Sequence, residues 1–150
     1  MLIRKAALRD APAISALIQP FAAQDLMLPR PLTSLYESIR DFHVVLDGEQ
    51  LLACAALHLF DHDLGEIKSL AVAPEAHGRG LGSLLIGRAA DEARELGLRR
   101  LFALVLRVGL FERLGFRVVA KEELPQKVWG ECIFCPKYHR CDETAVVLEL

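Results

Sequence analysis

The chain lacks any apolar run of about 20 residues, the length a membrane-spanning helix needs, so no membrane partner is expected. It also lacks a charge surplus. Eighteen Lys and Arg stand against twenty Asp and Glu, a net charge of −2 spread along the chain. A nucleic-acid surface would show as clustered Lys and Arg, so no nucleic-acid partner is expected either. No Gly-Lys-Ser/Thr is present, which excludes a Walker phosphate loop. There are no internal repeats and no low-complexity segment. The start, Met1-Leu2-Ile3-Arg4-Lys5, is charged at once, which predicts no signal peptide and a cytoplasmic location. Tyrosine is scarce, with Tyr36 and Tyr138 the only two. The four cysteines read as thiols or metal ligands rather than as a disulfide framework.

What is present is ample apolar content, 53% over 150 residues, enough for one domain (1–150) around a single core. In order, Leu2 to Ala6 reads as a strand. Asp10 suits an N-cap, Pro12 the first turn, and Ala13, Ile14, Leu17 and Ile18 a helical stripe that Pro20 should end. Leu26 to Pro31 is a rigid connector. Ser34 with Glu37 fits a capping box for a second helix carrying Leu35, Tyr36 and Ile39. Phe42–Leu46 and Gln50–Phe60 read as a hairpin about Asp47-Gly48. Leu64–Val72 is a buried strand. Arg99–Leu106 is another, Val108–Leu114 a short helix, Phe116–Lys121 a strand, residues 122–144 irregular, and Ala145–Leu150 the last strand. The order β-α-α-β-β-β-α-β-α-β-β implies an α/β fold of the α+β kind, a mixed sheet covered by helices.

The centre of the chain carries the chemistry. After the strand ending at Val72 come three glycines in five residues, Gly78, Gly80 and Gly82. A helix follows from Ser83 to Leu96, with Leu84, Leu85, Ala89, Ala93 and Leu96 on one face and Gly97 as its stop. A strand, a glycine turn and a helix N-terminus together make an anion site, because glycine lets the backbone approach and the first N–H groups of the helix point outward.

This stretch resembles motif A of the GNAT-type N-acetyltransferases, Gln/Arg-x-x-Gly-x-Gly/Ala after a strand ending Leu-Ala-Val. Here it reads His77-Gly78-Arg79-Gly80-Leu81-Gly82 after Leu70-Ala71-Val72, with His77 in place of Gln or Arg. A second signature, usually Tyr-Glu-x-Leu-Gly-Phe, is similar to Phe111-Glu112-Arg113-Leu114-Gly115-Phe116. The resemblance covers residues 2–150 and implies the GNAT fold, with acetyl-CoA as cosubstrate. It implies that the backbone of Leu70, Ala71 and Val72 pairs with the pantetheine arm. The pyrophosphate would then lie on His77, Gly78, Arg79, Gly80, Leu81, Gly82 and Ser83, near Phe111. Homodimers are common in that family.

Acetyl transfer needs a neutral amine, and amines have pKa values near 8–10, so a base must take a proton. Glu66 stands where many family members carry a general-base glutamate. Its other reading is a carboxylate paired with Lys68 or solvated at a strand end. Simple alternation places Glu66, Lys68, Leu70 and Val72 on one face. The family's usual general acid is a tyrosine at the position of Phe111, which cannot donate, so the resemblance assigns no acid here. Water can serve a thiolate with a pKa near 8.5.

Leu26 to Leu32 with Leu35 to Phe42, Ile67 to Val72, and Leu124 to Lys137 resemble the acetyltransferase domain of bacterial N-acetylglutamate synthases. That implies a small-molecule amino acid, L-glutamate, as acceptor, a place in arginine biosynthesis, and a short form without the kinase-like regulatory domain. Glutamate brings two carboxylates, for which Arg30, Lys68, Arg107 and Lys127 are candidate partners. Each is also readable as a solvated surface charge. Cys132-x2-Cys135-x5-Cys141, with His139 inside, could hold a structural zinc, or be a loop packed by reduced thiols. Cys54 reads as a small core residue, Trp129 as packing. His43, His58, His62 and His77 show no metal spacing. Three other functions stay open: acetylation of another amine or a protein N-terminus, an acyl-CoA sensor without turnover, and an interaction module on the cysteine knuckle.

Overall fold

The computed structural model describes residues 1–125 and 143–150. Its elements run β1 (Leu2–Lys5), α1 (Ala11–Ala23), α2 (Leu32–Glu37), β2 (Phe42–Asp47), β3 (Gln50–Leu59), β4 (Leu64–Val72), α3 (Leu81–Leu96), β5 (Arg100–Val105), α4 (Gly109–Arg113), β6 (Arg117–Val119) and β7 (Thr144–Glu149). This is the element order expected from the sequence. Among the described residues the strands form one sheet, ordered β1-β2-β3-β4-β5-β7-β6. Every neighbouring pair is antiparallel except β4 and β5. No helix among the described residues is long and apolar enough to cross a membrane.

Strand alternation sends side chains to two helix layers. On one side, Phe42, Val44, Cys54 and Ala56 pack with Ala11, Ile14 and Ile18 of α1 and Leu35 of α2. On the other, Leu57, Ile67, Leu101 and Ala103 pack with Ile86, Ala89 and Ala93 of α3 and Phe111 of α4. Gly97 stops α3 as expected, at φ 88°. Its N–H reaches the carbonyl of Arg94 (3.1 Å) and that of Leu98 reaches Ala93 (3.0 Å), the paired bonds that close a helix C-terminus on a left-handed glycine.

Several local expectations change. Pro20 does not end α1, which continues to Ala23. Ile18 and Phe21 on either side of it both pack on the core and carry the helix through. Asp10 sits at the N-cap position, but its carboxylate accepts from Arg4 (2.7 and 3.0 Å) and from the Ala7 N–H (2.7 Å) instead of from α1. The Arg4 guanidinium holds that carboxyl below the usual carboxylate range. Ser34 is not a cap. Pro31 presets the backbone, α2 starts at Leu32, and the Ser34 carbonyl accepts from the hydroxyl of Ser38 at 2.8 Å. On α3 the buried stripe is Leu81, Leu85, Ile86, Ala89, Ala90 and Ala93. Leu84, 42% exposed, falls on the opposite side of the 100° wheel, and Leu96 projects past the sheet at 56%.

The largest change is in β4. Lys68 pairs with Ala56 and Ala71 with Cys54, so three steps on β4 match two on β3. Ser69 takes up the extra residue at φ 55°. A bulge reverses the side-chain alternation beyond it. Leu70 and Val72 therefore face α3, not the side that carries Glu66 and Lys68. β4 also leaves its parallel partner early, pairing with β5 only from Leu64 to Glu66, opposite Arg100 to Phe102.

The phase of α3 can be tested by truncation. Leu85→Ala should cost about 2–5 kcal/mol, as for other large-to-small core changes. Leu84→Ala should stay within about 0.5 kcal/mol of the parent. Denaturant unfolding of both variants would check this, and equal losses would contradict the observed phase.

Candidate active site

The bulge places β4 between two half-sites. On the α1–α2 side, a cavity of about 460 Å³ opens over the middle of the strand. Lys68 and Ser69 form its floor with Ala56 and Phe42. Arg30 enters from the connector before α2, and Ser34, Glu37 and Ser38 line the wall from α2 and its end. Arg30 Nε donates to Ser69 Oγ at 3.3 Å, so the cation is moored to the bulge itself. Two of the four expected acceptor cations, Arg30 and Lys68, are thus brought together. Arg107 is exposed past the end of β5 and does not line this cavity. Lys127 lies outside the described residues.

The same cavity holds an acidic and imidazole edge. Asp41, just ahead of β2, has Oδ2 3.6 Å from His58 Nδ1. His58 stacks edge-on against Phe60 with ring centroids 4.9 Å apart, and Phe60 meets Phe102 at 5.6 Å. Glu66 is 8% exposed, directly opposite His58 across the β3–β4 ladder and beside Phe102 of β5. A carboxylate on a central strand of an apolar sheet is the kind of group that catalytic sites retain. Its side chain shares the face of Lys68, two residues on and before the bulge, as expected.

On the other side lies the glycine loop. Gly78 and Gly80 have φ of 81° and 77°. A Cβ on either would meet nothing within 4 Å, so it is the left-handed backbone that calls for glycine, and the space above the loop is open. At Gly82 the demand is different, since a Cβ would stand 3.1 Å from Leu110 Cδ2, where α3 closes on α4. The N–H groups of Leu81, Gly82 and Ser83 lead α3 and have no acceptor within the helix; Leu84 is the first to bond back, to Gly80 at 3.1 Å. These amides make an anion cradle, and the loop fits a pyrophosphate. His77 Nε2 lies 3.0 Å from the Val72 carbonyl, to which it donates when that nitrogen carries the proton. It ties the loop to the end of β4. Arg79 is exposed beside the loop, with Nη2 donating to the Glu75 carbonyl at 3.4 Å.

Beyond Glu66, β4 has no ladder to β5, so the two strands part next to the cradle. The backbone of Leu70 to Val72 flanks this gap. Phe111 is 5% exposed and meets Phe116 edge-on at 5.2 Å, so its ring belongs mainly to the core. Cys54 is fully buried, and its thiol donates to the Ser69 carbonyl at 3.4 Å. Burial pushes that thiol up to about 12.

Cys132, Cys135 and Cys141, the expected zinc ligands, lie outside the described residues, as do Trp129 and His139. Among the described residues, Asp61, His62 and Asp63 bring possible metal-ligand atoms within 4.8 Å. Asp61 Oδ1 there already accepts the N–H groups of Asp63 and Leu64, both at 3.0 Å, and closes the β3–β4 turn. Sequence reasoning missed Glu37, Asp41, His58 and Ser69. His58 was legible in principle: counting back from the Asp61 turn places it across from Glu66.

A model of the acetyltransferase (GNAT) family matches residues 12–116. An uncharacterized N-acetyltransferase of Chlorobaculum tepidum is 40% identical over 148 residues, 99% of this chain and 96% of that protein. An amino-acid acetyltransferase of Mycobacterium tuberculosis is 33% identical over 140 residues, 91% of this chain and 79% of that protein. The crystal structure of N-acetylglutamate synthase from Neisseria gonorrhoeae, complexed with coenzyme A and N-acetyl-glutamate, matches with a TM-score of 0.89 at 34% identity. The match covers 99% of this chain and 35% of that one. The parted β4–β5 pair beside a glycine cradle is therefore no isolated likeness: this chain belongs to the GNAT family and is an N-acetyltransferase.

Proposed function

We propose that the chain transfers the acetyl group of acetyl-CoA to the α-amino group of L-glutamate, giving N-acetylglutamate by direct transfer with Glu66 as general base. The observation that carries this reading is the pairing of Arg30 and Lys68 in one cavity that opens on the β4 bulge. Two cations in one cavity suit an acceptor with two carboxylates. Relatives named amino-acid acetyltransferase and the neighbour holding coenzyme A and N-acetyl-glutamate support the same acceptor class. In a cell, this product would place the enzyme in arginine biosynthesis, in the cytoplasm.

The residues divide the work. The amides of Gly78 to Ser83, with Arg79, take the pyrophosphate, and the free edge of Leu70, Ala71 and Val72 takes the pantetheine. A backbone N–H just past the bulge meets negative charge growing on the thioester oxygen. Glu66 removes a proton from the acceptor ammonium. The amine nitrogen bonds to the acetyl carbon and the C–S bond breaks. The amide nitrogen's surplus proton reaches the departing thiolate through water.

Glu37 and Asp41 favour a second reading, in which the acceptor is a cationic amine such as a polyamine. Free-CoA release with L-glutamate set against glutamine, aspartate and polyamines separates the two. Saturable turnover with glutamate is expected, and turnover confined to polyamines would overturn the acceptor assignment.

Glu66→Gln should lower kcat about 10²–10⁴-fold at neutral pH, the range for a positioned acid or base, while calorimetry shows unchanged acetyl-CoA binding. Full activity across the pH range would place the base elsewhere. Arg30→Ala and Lys68→Ala should each raise the acceptor KM by about 10–100-fold, as for a lost charge-assisted hydrogen bond, with little change in the acetyl-CoA KM. An unchanged acceptor KM in both would remove them from the acceptor site.

A further inference from the structure

The net reaction of an ammonium with a thioester releases one proton to solvent per turnover. Three hydrogens sit on the acceptor nitrogen at the start. One stays on the amide, one goes to the thiol, and one must leave. Resting on the reading of Glu66 as the base, that proton starts on a carboxyl group only 8% exposed. It needs a way out, and a base that cannot discharge its proton is spent after one cycle.

Among the described residues, the register of the sheet sets the strand neighbours of Glu66. Along β4, alternation puts Gly65 and Ile67 on the other face, and Ile67 is buried against α3. Toward β5 stands Phe102, fully buried, an apolar wall. Toward β3 stands His58, the directly opposite residue on the same face. Side chains so paired have Cβ atoms about 4.5–5.5 Å apart. The His58 side chain is 40% exposed and lines the cavity, so the residue opposite Glu66 in the ladder also reaches water. The Phe60 edge packs against its ring, and the Asp41 carboxylate lies 3.6 Å from Nδ1. Imidazole is the side chain that gains and loses a proton near neutral pH without large cost.

We propose that His58 is the proton relay of this enzyme. It takes the proton from Glu66 and passes it to cavity water, with Asp41, whose carboxylate lies 3.6 Å from Nδ1, as the positioning residue. Each cycle returns Glu66 to its carboxylate and His58 to neutral imidazole, so one proton leaves and nothing is oxidised or reduced.

The test is steady-state turnover at saturating acetyl-CoA and saturating acceptor, using whichever amine the acceptor panel selects, with the full chain at fixed pH and ionic strength. His58→Gln keeps a polar side chain of similar size at a partly exposed site. Its kcat should fall about 10–100-fold, with the KM for acetyl-CoA unchanged. Added imidazole at tens of millimolar should restore part of the lost kcat in a concentration-dependent way, and should leave the parent enzyme unaffected. Asp41→Asn should show a smaller loss, restored by the same means. A purely structural role would not respond to imidazole. An unchanged kcat in His58→Gln, or a loss that imidazole does not restore, would overturn the relay. Glu66→Gln separates the two readings: if it is inactive while His58→Gln is fully active, the base stands and the relay falls, and if it is fully active the base itself falls.

Discussion

The site depends on one extra residue in β4. Without the bulge at Ser69, strict alternation would carry Leu70 and Val72 to the same side as Lys68, and the apolar contacts to α3 would be lost. With it, the first half of the strand keeps Glu66 and Lys68 on one face, where Lys68 lines the polar cavity, while the second half packs Leu70 and Val72 on the α3 side. A backbone in the left-handed region costs a non-glycine residue roughly 1–2 kcal/mol. That cost is met locally, since the Ser69 carbonyl accepts the Cys54 thiol and its hydroxyl accepts Arg30. The device that splits the strand's duties also moors the acceptor cation.

The cavity is mixed in charge, and the mixture suits an amino acid better than a simple anion. Arg30 and Lys68 share the lining with Glu37 and Asp41, so the cavity presents both signs of charge. An amino-acid acceptor would bring carboxylate to the cations and its ammonium toward the acidic edge.

Much of this was legible beforehand. The glycine loop, the stop at Gly97, the position of Glu66 and the element order all follow from local patterns, because each rests on backbone conformation or on apolar period. What escaped was non-local. The bulge has no residue-type signature, since serine at positive φ is not distinguishable from serine elsewhere. Pro20 reads as a stop in isolation, and only the packing of Phe21 carries α1 past it. Asp41 and His58 look like solvated polar residues until the register of β3 against β4 puts His58 across from Glu66 and the turn ahead of β2 brings Asp41 within 3.6 Å of His58.

The buried thiol bears on how the acetyl group travels. A route through an acyl-enzyme needs a nucleophile that is both ionised and reachable. Cys54 is neither: burial raises its pKa to about 12, leaving about one thiolate in 10⁵ at neutral pH, and the S–H is committed to the Ser69 carbonyl. The Ser69 hydroxyl lines the cavity but already accepts from the Arg30 guanidinium. Among the described residues, the groups lining the cavity can position an amine and move its proton, and that division of labour favours direct attack on the thioester across the gap where β4 and β5 part.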